Sequence, residues 1–188
     1  MRSRMLHFVM AAGLATVMTG GVALTGCSTE PKTAGDRQAL DYDVRGALSR
    51  AESTDSSLNN LLDNAYGYAI FPNVGKGGLG VGGAYGRGEV FQHGQMIGYS
   101  DLTQATIGLQ AGGQKYTEIL VFRDKAALDR FTGGNFRFDA AATAVALKAG
   151  VGANAPFTNG VSVITTNEAG LMAEAVVGGQ KFSFEPAS

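Results

Sequence analysis

The chain has 188 residues, with 15 Lys and Arg against 16 Asp and Glu, a net charge of −1 and no segment where basic residues cluster. That balance argues against nucleic acid as a partner, which needs a basic footprint, and gives no strong pull toward an anionic surface. One cysteine and two histidines leave no disulfide framework and no material for a histidine–cysteine metal cluster.

In chain order, Arg2 and Arg4 precede an uncharged apolar run from Leu6 to Leu24 that ends in small residues. This is the three-part build of a secretory signal. The glycines at 13, 20 and 21 and the ending Leu24-Thr25-Gly26-Cys27 argue against a retained membrane helix. That ending resembles the lipobox of bacterial lipoproteins, so cleavage after residue 26 is expected, with a diacylglycerol and an N-acyl (palmitate-type) chain on Cys27. One chain anchors only marginally at about 0.8 kcal/mol per buried methylene, whereas two or three hold almost permanently. Ser28 follows, not the Asp that retains many such lipoproteins at the inner membrane. The resemblance therefore implies the outer membrane, periplasmic face, of a Gram-negative-type envelope. The expected division is a signal over 1–26, a lipidated flexible tether over 27–35 and one domain over 36–188.

From Asp36 to Ala51 the residues Leu40, Val44, Ala47, Leu48 and Ala51 recur at helical spacing, with Asp41 and Arg45 placed to pair outside. A second helix, with Asp55 or Ser56 as N-cap, carries Leu58, Leu61, Leu62 and Ala65 and is expected to stop at Gly67. Strand patterns follow. They are Tyr68 to Phe71 closed by Pro72-Asn73, Gly78 to Gln92, a hairpin turn at His93-Gly94, Gln95 to Tyr99, Ala105 to Ala111 and Lys115 to Phe122. Asp124 caps an inserted helix with Ala127, Leu128 and Phe131 that ends at Gly133-Gly134. Ala140 to Ala149 reads as helix by composition and strand by position. Val161 to Thr166 and Leu171 to Val177 flank an expected hairpin loop, Asn167 to Gly170, and Lys181 to Phe184 closes the chain. The fold class is α+β. It comprises a strongly curved, mostly antiparallel sheet or barrel-like core, two N-terminal helices and one inserted helix.

Glycine is the unusual component, at 28 residues against a usual share of roughly 7%. From Gly78 the even positions read Gly78, Gly80, Gly82, Ala84, Gly86 and Gly88, so one strand face is nearly bare backbone. Such a row implies close packing or a sharp bend. Its expected cover is the first or second helix, with a lipid chain as the alternative. The same stretch formally satisfies G-x-G-x-x-G. No helix follows it, so the dinucleotide reading is rejected.

Gly67-Tyr68-Ala69-Ile70-Phe71-Pro72, then Val74, Lys76 and the glycine-alternating strand, resemble the opening of the SYLF domain. The likeness continues through Ile107 to Gly113, Glu118-Ile119-Leu120-Val121-Phe122, the helix Lys125 to Phe131, and Gly170-Leu171-Met172-Ala173. It departs at Glu174, where the family commonly has glycine, and at Val151, where proline is common. The resemblance implies a lipid-binding module, with phospholipid or a phosphoinositide-type head group as partner. Lys76 matches a lysine of the family motif. Beside the amides of Gly77 and Gly78 it is the candidate head-group contact, and Arg87 is a weaker one. A solvated loop lysine is the plainer reading of Lys76.

Catalysis finds no footing. His93, the one histidine beyond the signal, sits in a turn, and no base–nucleophile pair or cofactor motif accompanies it. The expectation is thus a non-enzymatic lipoprotein that binds phospholipid, with no metal or cofactor. The alternative is a structural or protein-interaction lipoprotein that holds envelope proteins.

Overall fold

The computed structural model describes residues 28–188 apart from 135, 139–143, 147 and 178. The expected signal, Cys27 and residues 140–143 and 147 of the ambiguous alanine segment lie outside the described residues.

Two helices lead. Helix α1 (Ala34–Thr54) is capped by Thr33, whose hydroxyl accepts the Asp36 N–H. It buries Val44, Ala47 and Ala51, the stripe its periodicity predicts. Asp41 and Arg45 pair on the solvent side at 2.9 Å. Helix α2 (Ser57–Asp63) buries Leu58 and Leu62. Ser56 makes no side-chain cap; Asp55 instead accepts the Ser57 N–H at 3.1 Å. Gly67 does not stop this helix but opens the first strand.

Two very long strands follow, β1 (Gly67–Gln92) and β2 (Gln95–Phe122), paired antiparallel. His93 and Gly94, with φ of 49° and 76°, form the predicted two-residue turn; positive φ at both positions matches the right-handed twist of the strands. Four expected breaks are not breaks. Pro72-Asn73 sits at a register shift inside β1, where a missing N–H costs no ladder bond. The three segments predicted between Gln95 and Phe122 are one strand. Asn167 to Gly170 is not a hairpin loop, because strand β5 (Val161–Val177) runs through it along β2 and absorbs the extra residue at a bulge. Turn-forming residues can be held extended when a continuous partner offers every hydrogen bond.

Helix α3 (Lys125–Thr132), capped by Asp124 at Ala127 N–H (2.8 Å), is the inserted helix. Short strands β3 (Phe136–Phe138) and β4 (Ala144–Ala146) and the last strand β6 (Gln180–Pro186) complete the sheet. The ambiguous alanine segment thus supplies a strand over Ala144–Ala146, and Ala149 lies in a turn. One edge of β2 pairs β1; the other pairs first β6 over Gly98–Gln104, then β5 over Ile107–Phe122. The order is β3-β6-β2-β5-β4 with β1 on β2, all antiparallel except β4 with β5.

The long hairpin bends in its middle. A Cβ on Gly78 would strike the backbone of Gly82, and the register jumps between Leu79 and Val81. The second arm (81–92 with 95–107) therefore folds back toward the first arm (67–78 with 112–122). A Cβ on Gly86 would meet Val74 Cγ2 at 2.8 Å, and one on Gly88 would strike Ile70 and Phe71. At these positions the glycine face is covered by β1 itself, not by a helix. Only hydrogen-sized side chains let a strand double back at backbone contact. Phe71, Leu102, Leu120, Phe122 and Phe182 fill the interior, and α3 adds Leu128 and Phe131. Phe131 lies 4.8 Å from Phe122 and 5.5 Å from Phe182, ring to ring. Helices α1 and α2 cover the outside of the first arm through Val44, Leu58 and Leu62 against Ile70, Ile119, Val121 and Ile164.

Candidate functional site

Along β2 the inward residues of the first arm run Phe122, Leu120, Glu118, Tyr116 and Gln114, so the interior turns from apolar to polar toward the bend. Glu118 is buried to 1% exposure, and Gln180 to 4%. Gln180 Nε2 donates to Glu118 Oε2 at 2.8 Å, while Glu118 Oε1 and Gln180 Oε1 have no partner among the described residues. Burial pushes the Glu118 carboxyl up to about 7, against the opposing hydrogen bond from Gln180 and the charge of Lys76. A buried acceptor without a donor costs roughly 1–3 kcal/mol, so two neighbouring ones mark a place that favours a donor-bearing group.

Gln180 opens onto a groove of about 680 Å³ lined also by Thr103, Gln104, Ala105, Arg137, Gly179 and Lys181. The groove lies where β2 exchanges β6 for β5 along its edge. Arg137 pairs with Lys181, and Lys181 with Thr103, in one register row across β3, β6 and β2. Both cations are exposed. The arrangement can neutralise an anion at the rim, while the Glu118 and Gln180 acceptors stay sealed on the inner face of the sheet.

Of the residues singled out in the sequence, Lys76, Gly77 and Gly78 sit side by side on β1 just before the bend, paired with Gln114, Gly113 and Gly112. Lys76 is half-buried, and its charge acts on Glu118. Arg87 lies beyond the bend, and its Nε bonds Asp101 Oδ1 at 2.9 Å, an oxygen that also accepts the Tyr85 hydroxyl at 3.0 Å. Lys76 and Arg87 thus belong to different arms. Sequence reading missed Glu118, Gln180, Arg137 and Lys181. Parity could have found Glu118, a carboxylate in step with the core positions Leu120 and Phe122. His93 is exposed in its turn, against the edge of the Tyr66 ring at 4.6 Å. Among the described residues no group of three His, Cys, Asp or Glu could hold a metal ion, and no helix is long and apolar enough to cross a membrane.

Ser28 to Pro31 are docked, where a flexible tether was expected. Ser28 Oγ and Glu30 N donate to Glu185 Oε2 at 2.8 and 2.9 Å, and Thr29 bonds Ser183 at 3.0 Å. These donors, the Glu30 amide foremost, hold the Glu185 carboxyl below its ordinary range.

Residues 103–186 match the family model described as Ysc84, Las17-binding protein actin regulator. The SYLF likeness read from the sequence is borne out by that match. Beta cell expansion factor A of Aeromonas veronii is 29% identical over 158 residues, which cover 81% of this chain and 59% of that protein. The chain thus spans about three fifths of the length of this relative.

Proposed function

From a SYLF-type domain, a binding module and not a known enzyme family, we propose a lipoprotein anchored through Cys27 in the outer membrane, whose domain binds phospholipid head groups without turning them over. The observation that carries this reading is the groove at the junction of β5 and β6. Arg137 and Lys181 supply paired cations for a phosphate, and the exposed Thr103 beside them supplies a hydroxyl for the same head group. Lys76, with Gly77 and Gly78, forms the far wall of the polar interior and balances Glu118. Arg87, tied to Asp101, contributes charge to the rim more than direct contact.

The test uses residues 28–188, made without the apolar leader and Cys27, so that neither a retained leader nor a covalent lipid confuses the result. On vesicles of phosphatidylethanolamine and phosphatidylglycerol it should float, and Arg137→Glu with Lys181→Glu should abolish flotation. Failure of the parent to float at low salt, with envelope proteins co-purifying, would replace this reading by a protein-binding scaffold.

A further inference from the structure

We propose that the outer face of the second arm is the surface that lies on the bilayer, and that the docked segment Ser28–Pro31 sets this orientation. The inference rests on the reading that Cys27 is lipidated. A free tether over residues 27–35 would let the domain stand up to roughly 30 Å from its anchor. Instead Ser28 and Glu30 are held by Glu185, Thr29 by Ser183, and the Pro31 carbonyl by Arg37 at 3.1 Å. Residue 27 is one peptide unit, about 3.8 Å, from a residue fixed on the sheet. Ser183 and Glu185 alternate with the buried Phe182, so they point outward, on the same side as Lys181. A lipid at residue 27 therefore starts beside the outer face of β6.

That face is bare where the helices end. Under α1 the outward residues Glu89 and Tyr99 are buried to 3% and 6% exposure. Farther along, Val81 and Tyr85 stand 69% and 51% exposed, two of the three large apolar side chains so exposed among the described residues. Thr103, Ala105, Lys181 and Arg137 continue the surface across the strands. Its acids are engaged: Asp101 by Arg87, and Glu185 by the docked segment. A chain of net charge −1 thus presents an apolar patch with cations that pair with no acid among the described residues, next to its own anchor point. An apolar patch carrying an aromatic hydroxyl and ringed by cations suits the boundary between acyl chains and phosphates. The occupant that fits is the bilayer that holds the anchor.

The experiment takes full-length lipidated protein, reconstituted in vesicles of phosphatidylethanolamine and phosphatidylglycerol with or without bromine-bearing acyl chains. A nitrobenzoxadiazole fluorophore is placed on a single new cysteine by Val81→Cys, Tyr85→Cys or Tyr42→Cys, while the Cys27 thiol is blocked by its lipid. Tyr42 is the control, 78% exposed on α1. The labels at 81 and 85 should shift to shorter wavelength and lose most of their emission to bromine, and the label at 42 should do neither. Glu185→Ala should weaken quenching at 81 with acylation intact, and quenching unchanged would overturn the orienting role of the docked segment. A label at 81 that is shielded from water yet not quenched means a second copy or a protein covers the face, and overturns the proposal. Equal quenching at 42 and 81 overturns it too. Mass spectrometry of the same sample separates the two layers. An acylated residue 27 with an unquenched label at 81 defeats the face alone, whereas no acyl mass defeats the lipoprotein reading and the face together.

Discussion

On the first arm of the hairpin the outward side chains include Ile70, Ile119 and Val121, and two helices keep them dry. On the second arm the same strands send out Val81, Tyr85, Asp101 and Thr103, and no described helix reaches most of them. One pair of strands therefore builds a core wall and an open surface, and the difference is made by the helices, not by the sheet. The dry half should answer to structural damage and the open half should not.

The largest break is expected at Asp55, which locks α2 to the short 3-10 turn Gly152–Asn154. Its carboxylate accepts from the Ser57 amide and hydroxyl and from the Gly150 and Gly152 amides, the last at 2.6 Å. These donors, Gly152 foremost, hold its carboxyl down at about 2. Asp55→Ala leaves buried N–H groups without acceptors and should cost roughly 3–4 kcal/mol by urea denaturation. Because the folded value is depressed, the stability that Asp55 adds is present above the ordinary carboxylate range and is lost as pH falls toward 2.

Next comes the interior shared by both arms. Glu118 is raised from 4.5 to about 7, so its sign is opposite. Its contribution is full below about 4.5 and is lost as pH rises through about 7. The change is on the order of 3 kcal/mol. Glu89, pushed up to about 7 by burial under α1 with Asp41 adding and Arg45 opposing, acts in the same direction. Denaturation midpoints measured from pH 4 to 8 should therefore decline, and Glu118→Gln should keep only the shallower Glu89 part. An unchanged slope would mean that Glu118 is solvated.

Glycines sharpen the comparison further. Gly88→Val drives a side chain into Ile70 and Phe71 and should cost about 1–3 kcal/mol. Gly75 is exposed, and a Cβ there would meet nothing within 4 Å, so Gly75→Val should be neutral or slightly stabilising. Neutral or stabilising changes at both would show that β-propensity, not the doubled strand, governs these sites. The smallest effects belong to the open surface: Val81→Ser and Tyr85→Ser should stay within about 0.5 kcal/mol while reducing vesicle binding.

Where backbone chemistry is local, the sequence was readable. His93-Gly94 announced its turn through residues that tolerate positive φ, and Asp124 announced α3 through a cap. Pro72 and Asn167 to Gly170 misled for the converse reason: their preferences are local, and a 28-residue neighbouring strand overrode them. The glycine row correctly implied close approach, but alternation cannot name the approaching element, and the answer was the same strand. Lys76 and Arg87 stood out as charges near glycine. Arg137, Lys181, Gln180 and Glu118 come from three strands, and only the order β3-β6-β2 gathers them, which no spacing along the chain reveals.

The two-residue turn between β1 and β2 also bears on how the chain finds its shape. From His93 outward each new pair in a hairpin of 26- and 28-residue strands adds to a loop already closed, so little further chain entropy opposes it. The grip of Asp55 on Gly152 joins residues 97 apart and must await a distant segment, the kind of contact that slows folding. Refolding should then show two clocks. Protection of β1 and β2 amides from hydrogen exchange should come first. Docking of α2 against residues 150–154 should follow, later still after Asp55→Ala, with the early phase untouched.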